Sequence, residues 1–568
     1  MEEMTYPWYH PIDGVARVGG WKIAASGAAL IQREDMRQDF WVSMAAADEG
    51  VLYLAFELFD RWGRIDRGLT KDGIRKGTGV WETELDRGDI LFFAFVDVSP
   101  QRRRQKIATR LVADTLEKAR EKSGHFFAFA RPNCLFVEPA TEPGEECPEL
   151  NEDKIRASEN FWRSVGFRRV GTSDWLAFTD ETSHPSRLLA VSEDWQKPAY
   201  GKWLDGMTPK MTAVMNVLLD KKASGSKCVR LIRKLFPNAE EARSWLDPVG
   251  TQRNTILHTA IVGEKAEAIA FILSMCPELA DIANMDGYTP LERLQHSLNV
   301  GRRPYLGALE ILGMRMPVIK YEDFEGFGQK MITCQAALKG VDVCDLSKLS
   351  AEDISNVWIK SHERSKAPDA PTIRATLRMK YGCTCGRCLG GFLSPRMLFV
   401  TRTIANKVSM QLNFDLRGDG ITFFADGVAN HLPKEVYKNL VTNNFMKSGL
   451  ASLYEHIANC LKAGRLPTEK NILYLHHTDV NGDPMLENYL KLGGTVGAVV
   501  MSVFERAMVC DEWTGAGYLK GYIRKMYGDK LDALPVCRND EEYGFVSGLC
   551  GYDKVNTKGF VDVFGKGD

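Results

Sequence analysis

Three cysteines lie within six residues of one another, at Cys383, Cys385 and Cys388. Gly382 and Gly386 allow the backbone to turn around a shared ligand. Thiolates at this spacing favour zinc, which prefers four ligands in a tetrahedron. The sequence therefore predicts a structural zinc site with three local ligands. Three reduced thiols without a metal and a redox-sensitive trio are the alternatives.

The fourth ligand of such a site is missing from the local segment. His362, Cys537 and Cys550 occur elsewhere in the chain and could complete the set. Spacing does not show which of these side chains the fold brings to the trio. The choice among them stays open.

A second candidate site is a cluster of positive charge at residues 102–106. It follows the apolar run 90–98, which predicts a buried strand ended by Pro100. Apolar residues of one helical face come next, at Ile107, Ala108, Leu111, Val112, Leu116 and Ala119. A turn that enters a helix leaves N–H groups unpaired at the positive end of the helix dipole, so this order predicts a phosphate-binding turn. A solvated surface turn is the alternative.

Residues 98–108 resemble the acetyl-CoA motif of the GNAT superfamily of N-acetyltransferases, in which Val-x-Pro leads into Arg/Gln-x-x-Gly-x-Gly/Ala. Arg103 takes the first position, Lys106 the one usually held by glycine, and Ala108 that of the small residue near the pyrophosphate. The resemblance implies a mixed β-sheet with helices. It also implies that acetyl-CoA is bound by Val98, Arg103, Arg104, Gln105, Lys106, Ile107, Ala108 and Thr109.

The second block of the same family reads Ala-x-x-x-Tyr-x-x-x-Gly-Phe, and residues 158–167 resemble it after a further apolar strand at 126–130. Trp162 stands where the family often has a tyrosine, and an indole N–H donates a hydrogen bond but cannot shuttle a proton. Asp97 and Glu159 are the candidate bases. With Trp162 they form the predicted catalytic set.

The acyl acceptor implied by this family is an amine. Seven acidic residues between positions 138 and 153 form an insertion that would attract a cation. The sequence therefore favours a lysine side chain or a polyamine as acceptor. A solvated acidic loop is the alternative.

One sequence pattern occurs twice in the middle of the chain. It is found at residues 254–260 and again at the Thr-Pro-Leu phrase that begins at Thr289, 34 residues after Thr255. Both resemble ankyrin repeats over roughly residues 220–315, and the resemblance implies that Thr255 caps a helix and that His258 is structural. Arrays of this kind usually bind proteins, so an unknown protein partner is predicted. The alternative is that the array has a structural role and holds the N-terminal and C-terminal regions against each other.

Composition sets limits on the function. Lys plus Arg number 73 and Asp plus Glu 74, so the whole chain is not an electrostatic partner for nucleic acid or for a membrane surface. No long apolar run or leader is present, which argues against transmembrane and secreted classes. Thirteen scattered cysteines indicate a reducing compartment, so we expect the cytoplasm or nucleus.

The length of 568 residues predicts two to four domains. We divide the chain into a GNAT-like domain at 1–185, an all-α ankyrin array at 203–316 and a helix-rich domain with the cysteine cluster at 317–568, a multidomain α+β protein. Residues 51–59 are predicted as a strand. Helices are predicted in the C-terminal domain at 434–440, 450–463 and 496–510.

The sequence thus favours an acetyl-CoA-dependent N-acyltransferase acting on an amine, with repeats that bind a protein. A catalytically inactive acetyltransferase-like scaffold is the alternative, because Lys106 and Trp162 depart from the family pattern. Residues 390–397 after the cysteine motif resemble a phrase of fungal ankyrin-repeat proteins and imply a fungal origin.

Overall fold

The structure is a computed structural model. It describes residues 6–36, 40–47, 49–60, 63–73, 75–132, 152–196, 208–246, 253–284, 286–302, 324–350, 354, 357–358, 370–415, 427–478, 483–511, 522–540 and 542–553. Most of the acidic insertion predicted at 138–153 lies outside these residues, as does His362.

The N-terminal region contains a mixed six-stranded sheet with the order β1-β2-β3-β4-β6-β5. Its strands are β1 Tyr9–Val18, β2 Trp21–Ile31, β3 Asp89–Val98, β4 Phe126–Ala130, β5 Arg168–Arg169 and β6 Leu176–Thr179. Strands β3 and β4 are parallel, and the other neighbours are antiparallel. The strands predicted at 90–98 and 126–130 are confirmed.

Helices cover both faces of this sheet. They are α1 Phe40–Ala47, α2 Glu49–Leu58, α3 Ile107–Lys122, α4 Glu152–Ser164 and α5 Pro185–Leu188. Helices α1 and α2 pack on one face against Phe92, Phe129 and Trp175. Helices α3 and α4 pack on the other, where Phe93 and Phe126 belong to the core. The prediction of a mixed α+β protein is confirmed at this level.

The strand predicted at residues 51–59 is wrong, because the segment forms helix α2. Val51, Leu54, Ala55 and Leu58 are buried, and their spacing is that of one helical face. Aromatic and β-branched residues between them favoured a strand by composition alone. The periodicity of the buried positions was the better signal.

The middle region is an array of helices. Those in the described residues are α6 Pro209–Leu219, α7 Gly225–Leu235, α8 Ala239–Ala242, α9 Ile256–Val262, α10 Ala266–Met275 and α11 Pro290–Arg302. Thr255 caps α9, and its hydroxyl accepts a hydrogen bond from the His258 amide. The His258 ring accepts at Nδ1 from the Thr255 amide at 3.2 Å and donates from Nε2 to the Tyr288 carbonyl oxygen at 3.0 Å. His258 is therefore a structural residue, as expected.

Burial lowers the pKa of His258 from 6.5 to about 4, so the folded array holds a neutral ring. The unfolded chain binds this proton first, and stability should fall by about 1.4 kcal/mol per pH unit between pH 6.5 and pH 4. Hydrogen exchange of the α9 amides in wild type and His258→Gln, compared at each pH, measures this loss. An acid-induced loss of protection that is the same in the variant would contradict the assignment.

The C-terminal region is also helical. Its described helices are α12 Gln329–Lys339, α13 Ala370–Lys380, α14 Pro395–Asp415, α15 Lys434–Thr442, α16 Asn444–Lys462, α17 Glu469–Thr478, α18 Pro484–Lys491, α19 Val496–Asp511, α20 Tyr522–Asp532 and α21 Tyr543–Leu549. The three helices predicted here are confirmed as α15, α16 and α19. None of the helices in the described residues has the length and apolar character needed to span a bilayer.

In the described residues, a turn of the array contacts the sheet region. The Thr172 hydroxyl, next to the end of β5, donates to the Asp286 carbonyl oxygen at 2.9 Å. The Arg75 guanidinium lies 4.6 Å from the centre of the Tyr288 ring. Gly287 has a positive φ of 78°, and a Cβ atom there would meet the Thr172 side chain at 3.0 Å. This turn therefore requires glycine, and it fixes the array beside the β5–β6 edge of the sheet.

Candidate functional site

Strands β3 and β4 pair along only part of their length. Their parallel pairing runs from Asp89 opposite Phe126 to Phe93 opposite Ala130. Strand β4 ends there, whereas β3 continues to Val98. Among the described residues, the last five residues of β3 therefore have a strand partner on one side only.

A bulge lies at the point where the pairing with β4 ends. On the β2 side, Gly27 pairs with Phe95 and Ala28 pairs with Phe93, so Ala94 is the extra residue of β3. A bulge bends its strand and increases the local twist. It thus lets β3 turn away from β4 where the two strands stop pairing.

The turn after β3 presents unpaired amides. The first hydrogen bond of α3 runs from the Arg110 amide to the Lys106 carbonyl oxygen at 3.1 Å. Within the described residues, the amides from Arg104 to Thr109 have no hydrogen-bond acceptor. Arg104 and Lys106 have positive φ angles of 62° and 60°. Residues with positive and negative φ thus alternate along this turn. Such alternation turns successive N–H groups toward one side and creates an anion-binding concavity.

Lys106 takes the left-handed conformation that glycine favours, at a cost of about 1 kcal/mol. Its side chain is exposed and makes no cap hydrogen bond, so the stem does not fill the turn. Arg103 holds the turn against the strand, because its Nε–H donates to the Val98 carbonyl oxygen at 3.1 Å. Ile107 and Ala108 are half-buried against Val98, whereas Arg104, Gln105 and Thr109 are exposed.

Two of the predicted catalytic residues lie on the α3 and α4 face and are structural there. Trp162 is buried, with its ring centre 5.2 Å from that of Phe93 and 4.9 Å from that of Phe167. Glu159 accepts hydrogen bonds from Arg163, at 3.0 Å, and from Arg169. Two arginines hold the Glu159 carboxylate and the side chain is only 14% exposed, so it is poorly placed to accept a proton from an amine.

Asp97 lies on the part of β3 that pairs with β2 but not with β4, opposite Ala25, and its side chain is exposed. Val96 and Val98 pack toward the start of α3. Because side chains alternate along a strand, Asp97 lies on the opposite face of the sheet, which α1 and α2 cover. It is the one predicted catalytic residue at the parting strands.

A charged cluster on that same face was not predicted from the sequence. Arg131 follows the last residue of β4, and its guanidinium lies 3.3 Å from Glu57 Oε1 and 3.5 Å from Asp174 Oδ2. The Trp175 indole N–H donates to Glu57 Oε2 at 2.7 Å. The Arg131 guanidinium also lies 6.0 Å from the Tyr53 ring. We call these five residues the acceptor-side cluster.

The acceptor-side cluster carries two carboxylates and one guanidinium, a net charge of −1. Its charged side chains are between one-fifth and two-fifths exposed, so a solute can reach them. The Arg131 guanidinium already lies against both carboxylates and over the Tyr53 and Trp175 rings, so these groups form a surface that suits a cation. One signal in the sequence was a single arginine directly after the apolar run 126–130.

The cysteine trio meets a fourth thiol in the C-terminal region. The sulfur atoms of Cys383, Cys385, Cys388 and Cys537 all lie within 4.8 Å of one another. Adjacent pairs are 3.7, 3.8 and 3.4 Å apart. A zinc ion with bonds of about 2.3 Å to four sulfurs separates them by about 3.8 Å, so these distances fit a tetrahedral metal site. Of the candidate fourth ligands in the described residues, the fold brings Cys537 to the trio and not Cys550.

Hydrogen-bond donors from neighbouring residues approach the sulfur atoms of the cysteine cluster. The Arg387 amide donates to the Cys385 sulfur at 3.4 Å, and the Asn539 side-chain amide approaches the Cys388 sulfur at 3.8 Å. Hydrogen bonds among the four thiols lower the pKa of Cys383 and raise the pKa values of Cys385 and Cys388, so the first proton leaves the cluster from Cys383. Donors aimed at sulfur stabilise thiolates, which are the form that binds metal. The four cysteines can therefore hold a metal ion.

Comparison with known proteins yields no assignment. No family model matches the chain, and neither curated proteins nor solved structures give a match.

Proposed function

We propose that the chain is an acyl-CoA-dependent N-acyltransferase. The observation that carries the proposal is the parting of β3 from β4 directly beside the unpaired amides from Arg104 to Thr109. A diphosphate suits these amides, and an extended pantetheine arm can add its amide groups to the free edge of β3. The same residues carry the resemblance to the GNAT superfamily.

The reaction would be direct transfer to an amine. An ammonium group loses one proton to Asp97, and the freed nitrogen lone pair forms a bond to the thioester carbonyl carbon. The carbon–sulfur bond breaks, its electron pair stays on sulfur, and a second nitrogen proton neutralises the thiolate. Alignment of the two substrates is the main source of rate acceleration.

The acceptor in this proposal is a cationic amine such as a lysine side chain or a polyamine. Glu57 and Asp174 supply negative charge near the end of β4 that attracts a cationic acceptor. Thioester consumption with spermidine, a lysine peptide and a neutral aromatic amine tests the function. We expect turnover with the first two. Absence of turnover with every amine, despite acetyl-CoA binding, would favour the inactive scaffold instead.

Glu57→Gln is expected to raise KM for a cationic amine about tenfold. The variant loses one of the two carboxylates, and its interaction with the amine contributes about 1.4 kcal/mol to the binding free energy. The new amide oxygen can still accept from the Trp175 indole, which preserves the packing. Steady-state kinetics with spermidine measure the change. Glu117→Gln, on the exposed side of α3, is the matched control. An unchanged KM in Glu57→Gln would remove the acceptor-side cluster from the proposal.

We also propose that the four cysteines hold a structural zinc ion. Only Cys385 is half-exposed, and the other three thiols are buried. A site closed by four protein ligands leaves no open position for substrate. Zinc would then join the turn after α13 to the segment before α21.

The helical array is proposed to bind a protein. Its Asp286–Tyr288 turn contacts Thr172, two residues from Asp174 of the acceptor-side cluster. A protein held on the array would lie near that face of the sheet.

A further inference from the structure

Helix α7 and the turn before it carry an unusual concentration of positive charge. Residues 221–234 contain six Lys or Arg residues and no Asp or Glu, in a chain whose net charge is −1. Cys228 and Ile232 are buried, and the helix packs on α6 and α10. Lys227, Arg230, Arg233 and Lys234 are all exposed. We call these four residues the basic face.

The basic face has little internal compensation. Among the ion pairs of the described residues, none includes a member of the basic face. Glu267 on α10 approaches the start of the helix at Gly225, so the later turns are the least neutralised. The Arg233 guanidinium stacks 5.2 Å from the Phe271 ring centre, which orients it. Uncompensated, ordered cations favour an anionic partner.

The surroundings of the basic face favour an acidic polypeptide over single-stranded nucleic acid and over an inserted membrane contact. Within the described residues, α7 itself exposes no large apolar or aromatic side chain, and a single exposed one, Leu219, ends the neighbouring helix α6. Base stacking and membrane insertion both need such side chains beside the cations. The carboxylates of an acidic polypeptide can bind through the ammonium and guanidinium groups alone, without a neighbouring apolar surface.

The dimensions also fit a short acidic segment. Lys227, Arg230 and Lys234 follow one side of α7 and span about 10 Å along the axis. An extended peptide covers that distance in about three residues. Alternating residues of an extended chain are about 7 Å apart, so two acidic side chains of such a segment lie over the three cations.

We propose that the basic face of α7 binds an acidic, extended segment of a partner protein. The proposal does not depend on acyl transfer, because binding is measured without acyl-CoA. The affinity of the basic face for the acidic segment should fall steeply as the salt concentration rises, because every contact is between exposed charges.

The test uses fluorescence anisotropy with a labelled peptide of alternating glutamate and serine, titrated with the full chain. We expect binding that weakens about tenfold between about 50 and about 200 mM salt. The triple variant Lys227→Glu, Arg230→Glu, Lys234→Glu should weaken it about thirtyfold, since each lost charge pair contributes about 0.7 kcal/mol.

The matched control reverses three exposed lysines on other helices, Lys118→Glu, Lys462→Glu and Lys470→Glu. It changes the net charge equally and should leave peptide binding within about twofold. An equal loss in the control would overturn the proposal, because it would show that net charge alone drives binding. Tighter binding of single-stranded RNA or of phosphatidylserine vesicles than of the peptide would overturn it as well.

Discussion

Cys537→Ser is expected to abolish zinc binding and to lower the free energy of unfolding of the C-terminal helices by about 4 kcal/mol. Cys537 is separated from Cys388 by 149 residues, so the metal joins distant parts of the chain. Beside this junction, Phe545 of α21 packs on Phe392, with ring centres 6.3 Å apart. Loss of the metal should therefore loosen α21 as well as the cysteine turn.

Elemental analysis and thermal unfolding of the full chain measure this effect. We expect about one zinc per wild-type chain and less than about a tenth in the variant. Cys550→Ser is the control, because Cys550 and Cys537 are both only 4% exposed and Cys550 lies outside the cluster. The control should keep its zinc. Wild-type protein purified without zinc, or full zinc in Cys537→Ser, would contradict the site.

Ala108→Glu is expected to weaken acetyl-CoA binding about a hundredfold. The new carboxylate would lie at the unpaired amides of α3, where it repels a diphosphate and competes for the same N–H groups. Loss of two charge-assisted hydrogen bonds at about 1.5 kcal/mol each corresponds to this factor. Calorimetric titration of the variant measures the change.

Ala113→Glu controls for the added charge, since Ala113 is exposed on the same helix and lies beyond its first turn. It should bind acetyl-CoA within about twofold of wild type, because the dipole effect fades within the first turn. Equal binding by wild type and Ala108→Glu would show that the amides of α3 do not hold the diphosphate.

The elements around the parting strands could be predicted because their signals are local. An apolar run and its terminating proline predicted β3, and a single apolar face predicted α3. The bulge at Ala94 could not be predicted, because it depends on the pairing of β3 with β2. The positive φ of Lys106 could not be predicted either, because lysine rarely takes a left-handed conformation and only the backbone angles show it.

Side-chain roles were harder to predict than strands and helices. Glu159 lies on a helix in the aligned block, yet its partners Arg163 and Arg169 decide that it is structural. The acceptor-side cluster draws Glu57, Arg131 and Asp174 from three separate segments. Pairings of this kind depend on tertiary structure and leave no periodic signal.

The cysteine cluster was likewise predicted only in part from the sequence. Three thiols at close spacing predicted a zinc site, whereas the choice of Cys537 over Cys550 depended on the fold. Cys550 is buried in a different cluster, with α16 and α19 residues. The basic face of α7 is a local run of positive charges in the sequence. The net charge of the whole chain, which is −1, gives no sign of it.

The central claim is that the parting of β3 and β4 binds an acyl-CoA. Isothermal titration of the wild-type chain with acetyl-CoA tests it most directly. The account predicts one site per chain with a dissociation constant of about 10 µM, equivalent to about −7 kcal/mol. Absence of any binding heat up to about 1 mM acetyl-CoA would contradict it.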